Sequence, residues 1–135
     1  MKLFGIGTSD NKASLGMLLL RLVAGFTMAF NHGLGKMENY SSAVDSFPDP
    51  FGVGSQFSLL LAIFAELFCG IFIAVGFATR YTVIPLIITM ATAFFIIHGD
   101  DPFAKQEMSF IYLAMYLVIF IVGPGKYSVD KLISK

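Results

Sequence analysis

Apolar and polar positions alternate along this chain in long blocks, with apolar stretches near the length that crosses a bilayer as a helix. Four such stretches stand out, over about 15–32, 57–78, 81–98 and 102–122. Ser14 reads as the N-cap of the first, and the Gly33/Gly35 pair as its end, with Lys36 just outside. Residues 37–56 hold Glu38, Asp45 and Asp49, together with the Phe47-Pro48-Asp49-Pro50 turn, so they form a connecting loop. Thr79 and Arg80 leave only a short turn between the second and third helices, which makes those helices antiparallel neighbours. Pro85 bends the first turns of the third helix. Asp101-Pro102 reads as N-cap and first residue of the fourth, placing Glu107 in its second turn. Gly123-Pro124-Gly125 stops that helix, and Ser128 caps a short terminal turn through Leu132. The expected architecture is an all-α integral membrane four-helix bundle running up-down-up-down.

Composition agrees. Of 135 residues, 56% are hydrophobic and 13% charged, which is the profile of an integral membrane protein of one domain's length. Zero net charge gives no electrostatic case for a nucleic-acid partner. The single cysteine, Cys69, lies inside an apolar stretch and belongs to no CxxC or Cys/His zinc pattern. Lys2 and Lys12 precede an apolar run as in a signal peptide, but Arg21 interrupts that run and no small-residue cleavage site follows, so the segment reads as retained.

Basic residues set the expected orientation. Lys2, Lys12, Arg80, Lys126, Lys131 and Lys135 fall at one end of the bundle, Lys36 and Lys105 at the other. The positive-inside rule puts both termini and the Thr79-Arg80 turn in the cytoplasm, and the 37–56 loop outside.

Polar residues inside the apolar stretches are where chemistry is expected. Glu66 lies roughly 14 Å from either end of the second helix. Its face carries Ala62, Cys69 and Gly70, small enough for close helix approach, so it points into the bundle. Arg21 on the first helix is within side-chain reach of that depth, which suggests an Arg21–Glu66 pair. Such a pair is either a structural lock on helix register or a proton-handling, headgroup-binding site. His32, His98 and Glu107 gather toward the outer end and would line access to it, as groups suited to proton relay or to hydrogen bonding a quinone-like carbonyl. Each histidine is also an ordinary interfacial residue at a helix end. Lys36 joins this group as a candidate ligand-binding residue. Tyr112 and Tyr116 are an i, i+4 pair whose hydroxyls need partners in the bundle, the same cavity being one place to find them. No tight metal-ligand spacing is present, and no metal is assigned.

The ordered set of Leu19-Leu20-Arg21-Leu22-Val23-Ala24-Gly25, His32-Gly33-Leu34-Gly35-Lys36, Ala65-Glu66-Leu67-Phe68-Cys69-Gly70, Gly76-Phe77-Ala78-Thr79-Arg80, His98 and Gly123-Pro124-Gly125-Lys126-Tyr127-Ser128-Val129-Asp130 resembles the DoxX family of small bacterial membrane proteins. The likeness extends over about 15–132, departing in the loop, where Phe47-Pro48-Asp49-Pro50 replaces a Gly-Leu-Pro-x-Pro pattern common in relatives. The resemblance implies a four-helix membrane fold. It also implies company with redox systems, since relatives include a subunit of a thiosulfate:quinone oxidoreductase and a partner in a mycobacterial membrane oxidoreductase complex.

The reading that follows is a single DoxX-like domain over 1–135 in a bacterial inner membrane, serving as a subunit of a quinone-linked redox system. Glu66, Arg21 and His98 carry its proton chemistry, and His32, Lys36, Glu107, Tyr112 and Tyr116 its ligand contacts. The cofactor is left open, with quinone the leading choice. Electrons arrive from a soluble or membrane oxidoreductase partner, and a homo-oligomer is left open too. The competing readings are a non-catalytic adaptor that docks a soluble oxidoreductase, and a small-molecule carrier.

Overall fold

The computed structural model describes residues 4–134; Lys2 and Lys135 of the charge count lie outside them. Four helices long and apolar enough to span a membrane make up the bundle: α1 (Asp10–Glu38), α3 (Ser55–Val75), α4 (Thr79–Ile97) and α5 (Phe103–Val122). A single turn of helix, α2 (Tyr40–Ala43), lies between α1 and α3, and α6 (Val129–Ile133) closes the chain. Large apolar side chains cover the outside, among them Leu19, Phe64, Ile88 and Phe120. That inversion is the one expected of a surface whose solvent is lipid.

α1 is longer at both ends than the sequence pattern suggests. Ser9, not Ser14, caps it, its hydroxyl accepting from the Lys12 amide at 3.3 Å. Ser14 is buried one turn in and accepts from the Lys126 amide at 3.1 Å. Gly33 and Gly35 do not end the helix, which continues to Glu38. Gly33 is there for proximity, because a Cβ on it would lie 2.5 Å from the Leu67 nitrogen. α3 ends at Val75, three residues early, because Gly76 adopts φ 76°, a left-handed cap that a glycine takes without strain. Asp101 does not cap α5 with its side chain, which turns instead to His98.

α1 and α3 pack antiparallel through small residues. Gly25 meets Gly70 and Ala74, and Gly33 meets Leu67 and Glu66, each at backbone contact distance. α4 packs on α3 and α5, and α5 returns to α1, where the Tyr116 hydroxyl donates to the Ala24 carbonyl at 3.0 Å.

Three of the four spans contain one wide, π-helical turn: Ala29–Gly33 in α1, Phe64–Cys69 in α3 and Ala93–Ile97 in α4. Each such turn carries an extra residue and turns the following side chains to a new face, a feature that concentrates at functional sites. The first two pack directly on each other.

At the end of the bundle that holds both termini, residues 123–130 fold back under the helices. Gly123 turns the chain at φ 88°, and Ser128 caps α6, accepting from the Lys131 amide. The Asp130 carboxylate accepts from the amides of Ala78 at 2.7 Å and Thr79 at 2.9 Å, which tethers the tail to the first turn of α4. Partial burial works to raise the Asp130 carboxyl, but the amides of Thr79 and Ala78 and the nearby Arg21 outweigh it and hold it below the ordinary carboxylate range. A lowered folded value means that the tether contributes fully above the ordinary range and fades as pH falls through the lowered value. Asp130→Ala is therefore expected to cost about 1–2 kcal/mol at neutral pH. Thermal unfolding in detergent at pH 7 measures it, and an unchanged midpoint would mean that the tail is not tethered.

Candidate functional site

The two wide turns of α1 and α3 bring the candidate residues together. On α1, Met28, His32 and Lys36 recur every fourth residue and face one cavity of about 360 Å³. α3 contributes Ala62 and Glu66, and α4 contributes Thr89 and Thr92, with His98 just past its end. Phe47, Pro48, Pro50 and Phe51 form the roof at the loop end. Most of the wall is apolar, with a few ionisable groups set in it, which is the usual make-up of a small-molecule site.

Lys36 and Glu66 form the central contact. The Lys36 ammonium donates to the Glu66 carboxylate at 2.7 Å, with the Glu66 side chain 5% exposed and that of Lys36 29%. The expected Arg21–Glu66 pair does not exist. In the antiparallel register Arg21 stands opposite Ala74, two turns or about 12 Å from Glu66. Its guanidinium, fully buried, donates to the Tyr127 carbonyl at 2.5 Å and lies 3.5 Å from the Ala74 carbonyl. Arg21 thus binds the returning tail at the terminal end. Lys36 occupies its expected place because α1 runs one full turn past Gly33 and the wide turn rotates that extension toward α3.

His32 lines the cavity and meets the Tyr112 ring edge-on, with centroids 5.9 Å apart. His98 ends α4; its Nδ1 lies 2.8 Å from the Asp101 carboxylate, and its carbonyl accepts from Gln106 at 2.5 Å. Glu107 is exposed on α5 and is not part of the cavity wall. Tyr112 and Tyr116 join α5 to α1 instead: the Tyr112 hydroxyl donates to Thr27 Oγ1 at 2.9 Å, and Thr27 in turn donates to the Val23 carbonyl. The tyrosine pair therefore fixes the helix behind His32 and does not line the cavity.

The roof is the part that sequence reasoning missed. Asp49 organises it, its carboxylate accepting from the amides of Val53 at 2.9 Å and Gly54 at 2.7 Å and from the Ser58 hydroxyl at 2.9 Å. The Gly54 amide contributes most to holding the Asp49 carboxyl below the ordinary carboxylate range. On the other side of the turn, the Ser55 hydroxyl sits between the carbonyls of Val44 at 2.7 Å and Phe47 at 3.0 Å. One sequence signal was available for the wall: His32 and Lys36 are four apart, so a helix continued through Gly35 places both on one face.

Four apolar spans around a cavity with a buried ion pair define a small multi-pass membrane protein. The family model described as DoxX matches residues 16–99, and the chain belongs to that family. It is 30% identical to inner membrane protein YqjF of Escherichia coli strain K12, over 90% of this chain and 94% of that protein. It is 28% identical to an uncharacterized protein of Haemophilus influenzae, over 99% of this chain and 90% of that one. No solved structure matches it. Family, relative and helices together place the chain in the inner membrane.

Proposed function

We propose that the chain is an inner-membrane subunit of a quinone-linked redox system, and that the Lys36–Glu66 end of the cavity receives the quinone headgroup. The observation that carries this reading is the 2.7 Å ion pair in the wall of an apolar cavity. A lipid-soluble ring with two carbonyl oxygens matches an apolar chamber with a few hydrogen-bonding groups in its wall. A bound quinone would supply two-electron, two-proton redox chemistry, with electrons delivered by a partner oxidoreductase.

In this reading Lys36 and His32 donate hydrogen bonds to headgroup oxygens. Glu66 gives or takes a proton at its carboxylate, and His98, backed by Asp101, passes protons toward the loop end. Arg21 has a different task, holding the tail under the bundle. Lys12, Arg80, Lys126 and Lys131 cluster at the terminal end, so the positive-inside rule puts that end in the cytoplasm and the roof outside.

The test is to purify the protein in native lipid and quantify co-purifying quinone by mass spectrometry. Wild type is expected to retain it. Glu66→Gln, compared under conditions where both proteins stay folded, is expected to retain about 10-fold less or lower still, the loss that follows when a charged hydrogen-bond partner is removed. Equal retention by both, or none by wild type, overturns the reading. A stoichiometric soluble protein without quinone would favour the adaptor.

A further inference from the structure

The roof of the cavity is a fixed turn. Phe47, Pro48, Pro50 and Phe51 cover the loop end, and Asp49 and Ser55 pin that turn to α3 and to the residues before it. The side wall is different. α3 and α4 are packed together from their connecting turn through Phe64–Val75 and Thr79–Thr92, but Ser55–Ile63 makes no comparable contact with Ala93–Ile97 among the described residues. The helices part toward the loop end; Leu61 on α3 lies beside the gap, Ile88 on α4 lies just over one turn below it, and both line the cavity. Both are also exposed, Leu61 47% and Ile88 55%.

Depth says what that outside is. Ile88 is midway between Thr79 and Ile97, about 13 Å from either end of α4, which is the level of the hydrocarbon. Among the described residues, the polar side chains of α3 and α4 that line the cavity on this side are Ser58, Thr89 and Thr92, with His98 at the loop end; Ser58 is bonded to Asp49, Thr89 to the Pro85 carbonyl and His98 to Asp101. An apolar slot that opens toward the loop end, reaches the mid-bilayer depth of Ile88 and leads to an ion pair admits molecules already dissolved in the membrane.

We propose that the cavity is entered sideways from the bilayer between α3 and α4, and that it takes an amphiphile whose polar head reaches Lys36–Glu66 while its hydrocarbon tail stays in the slot over Leu61 and Ile88. This rests on the reading of the cavity as a headgroup site and adds its entrance, the direction of the ligand within it, and the requirement for a tail. A quinone and a phospholipid that lets one chain into the slot share that chemistry, and the test separates them.

The protein is placed in nanodiscs with a benzoquinone carrying a diazirine on a decyl chain, irradiated, and mapped by peptide mass spectrometry; a diazirine-tailed phosphatidylcholine serves as the second probe. Label from the quinone probe is expected to concentrate on Leu61 and Ile88 and to be displaced by excess decyl-ubiquinone. Ile88→Trp, which narrows the slot from the lipid side, is expected to cut it at least about fivefold. Ile84→Trp, one turn away, lipid-facing and outside the cavity wall, leaves it unchanged. Label spread evenly over the lipid-facing residues of all four spans, or gathered at Ile97 and Met108 on the opposite rim, overturns lateral entry between α3 and α4. Label at Leu61 and Ile88 that comes equally from the phosphatidylcholine probe and resists excess quinone supports the entrance and overturns the quinone reading alone.

Discussion

Lys36→Met is expected to lower the stability of the bundle by about 2–3 kcal/mol. Glu66 is left with hydrocarbon where an ammonium stood at 2.7 Å, and its side chain is 5% exposed, so water cannot take the place of the lost partner without entering the bundle. Removing one member of a buried pair typically costs about 3–5 kcal/mol, and the 29% exposure of Lys36 reduces that figure through solvent screening. Lys36→Met combined with Glu66→Met removes both charges and is expected to recover most of the loss, since an apolar pair of similar volume has no desolvation cost. Reversible unfolding of wild type, both single variants and the double variant in one detergent completes the cycle. A coupling of about 1–3 kcal/mol is expected. Additive losses would show that the two side chains do not act as a pair.

Gly33→Ala is expected to cost a further kind of stability, about 1–3 kcal/mol, by pushing α1 away from α3. The new Cβ would stand 2.5 Å from the Leu67 nitrogen, 2.7 Å from its Cα and 2.8 Å from the Glu66 carbonyl carbon. These are backbone atoms inside a helix, and no rotamer change clears them. The helices must part at the turn that carries Glu66, so quinone retention should fall along with the unfolding midpoint. Gly35→Ala is the matched control: nothing lies within 4 Å of its Cβ. There alanine's better helix propensity should leave stability unchanged or raise it by up to about 1 kcal/mol. Equal effects at the two positions would mean that the α1–α3 contact is looser than the structure has it.

That pair of glycines also marks where reading the chain alone stops. Gly33-Leu34-Gly35-Lys36 looks like a helix end, because two glycines near a cation satisfy every local rule for one. Only the partner helix distinguishes them, since Gly33 meets backbone and Gly35 meets nothing. Once α1 continues, Lys36 becomes a wall residue and the companion of Glu66. The same error put Arg21 in that role: estimates of depth along single helices cannot supply the register between them, and a shift of two turns changes the partner completely.

The sequence by itself determined that four helices are long and apolar enough to cross the membrane, that the short Thr79-Arg80 turn makes neighbours of the second and third, and that the face of Glu66 with Ala62, Cys69 and Gly70 turns inward. These follow from local quantities, namely the length of an apolar run, turn chemistry and the cost of a charge in hydrocarbon. His32, Lys36, Glu66 and His98 were all legible as polar residues in or beside apolar helices, and all four line the cavity. Their arrangement was decided by the tertiary structure alone. Three wide turns leave no mark in composition or spacing, because an extra residue in a helical turn is held by packing between helices. The roof over the cavity and the tail that occupies Arg21 join residues far apart in the chain. They depend on contacts that exist only after the bundle has closed.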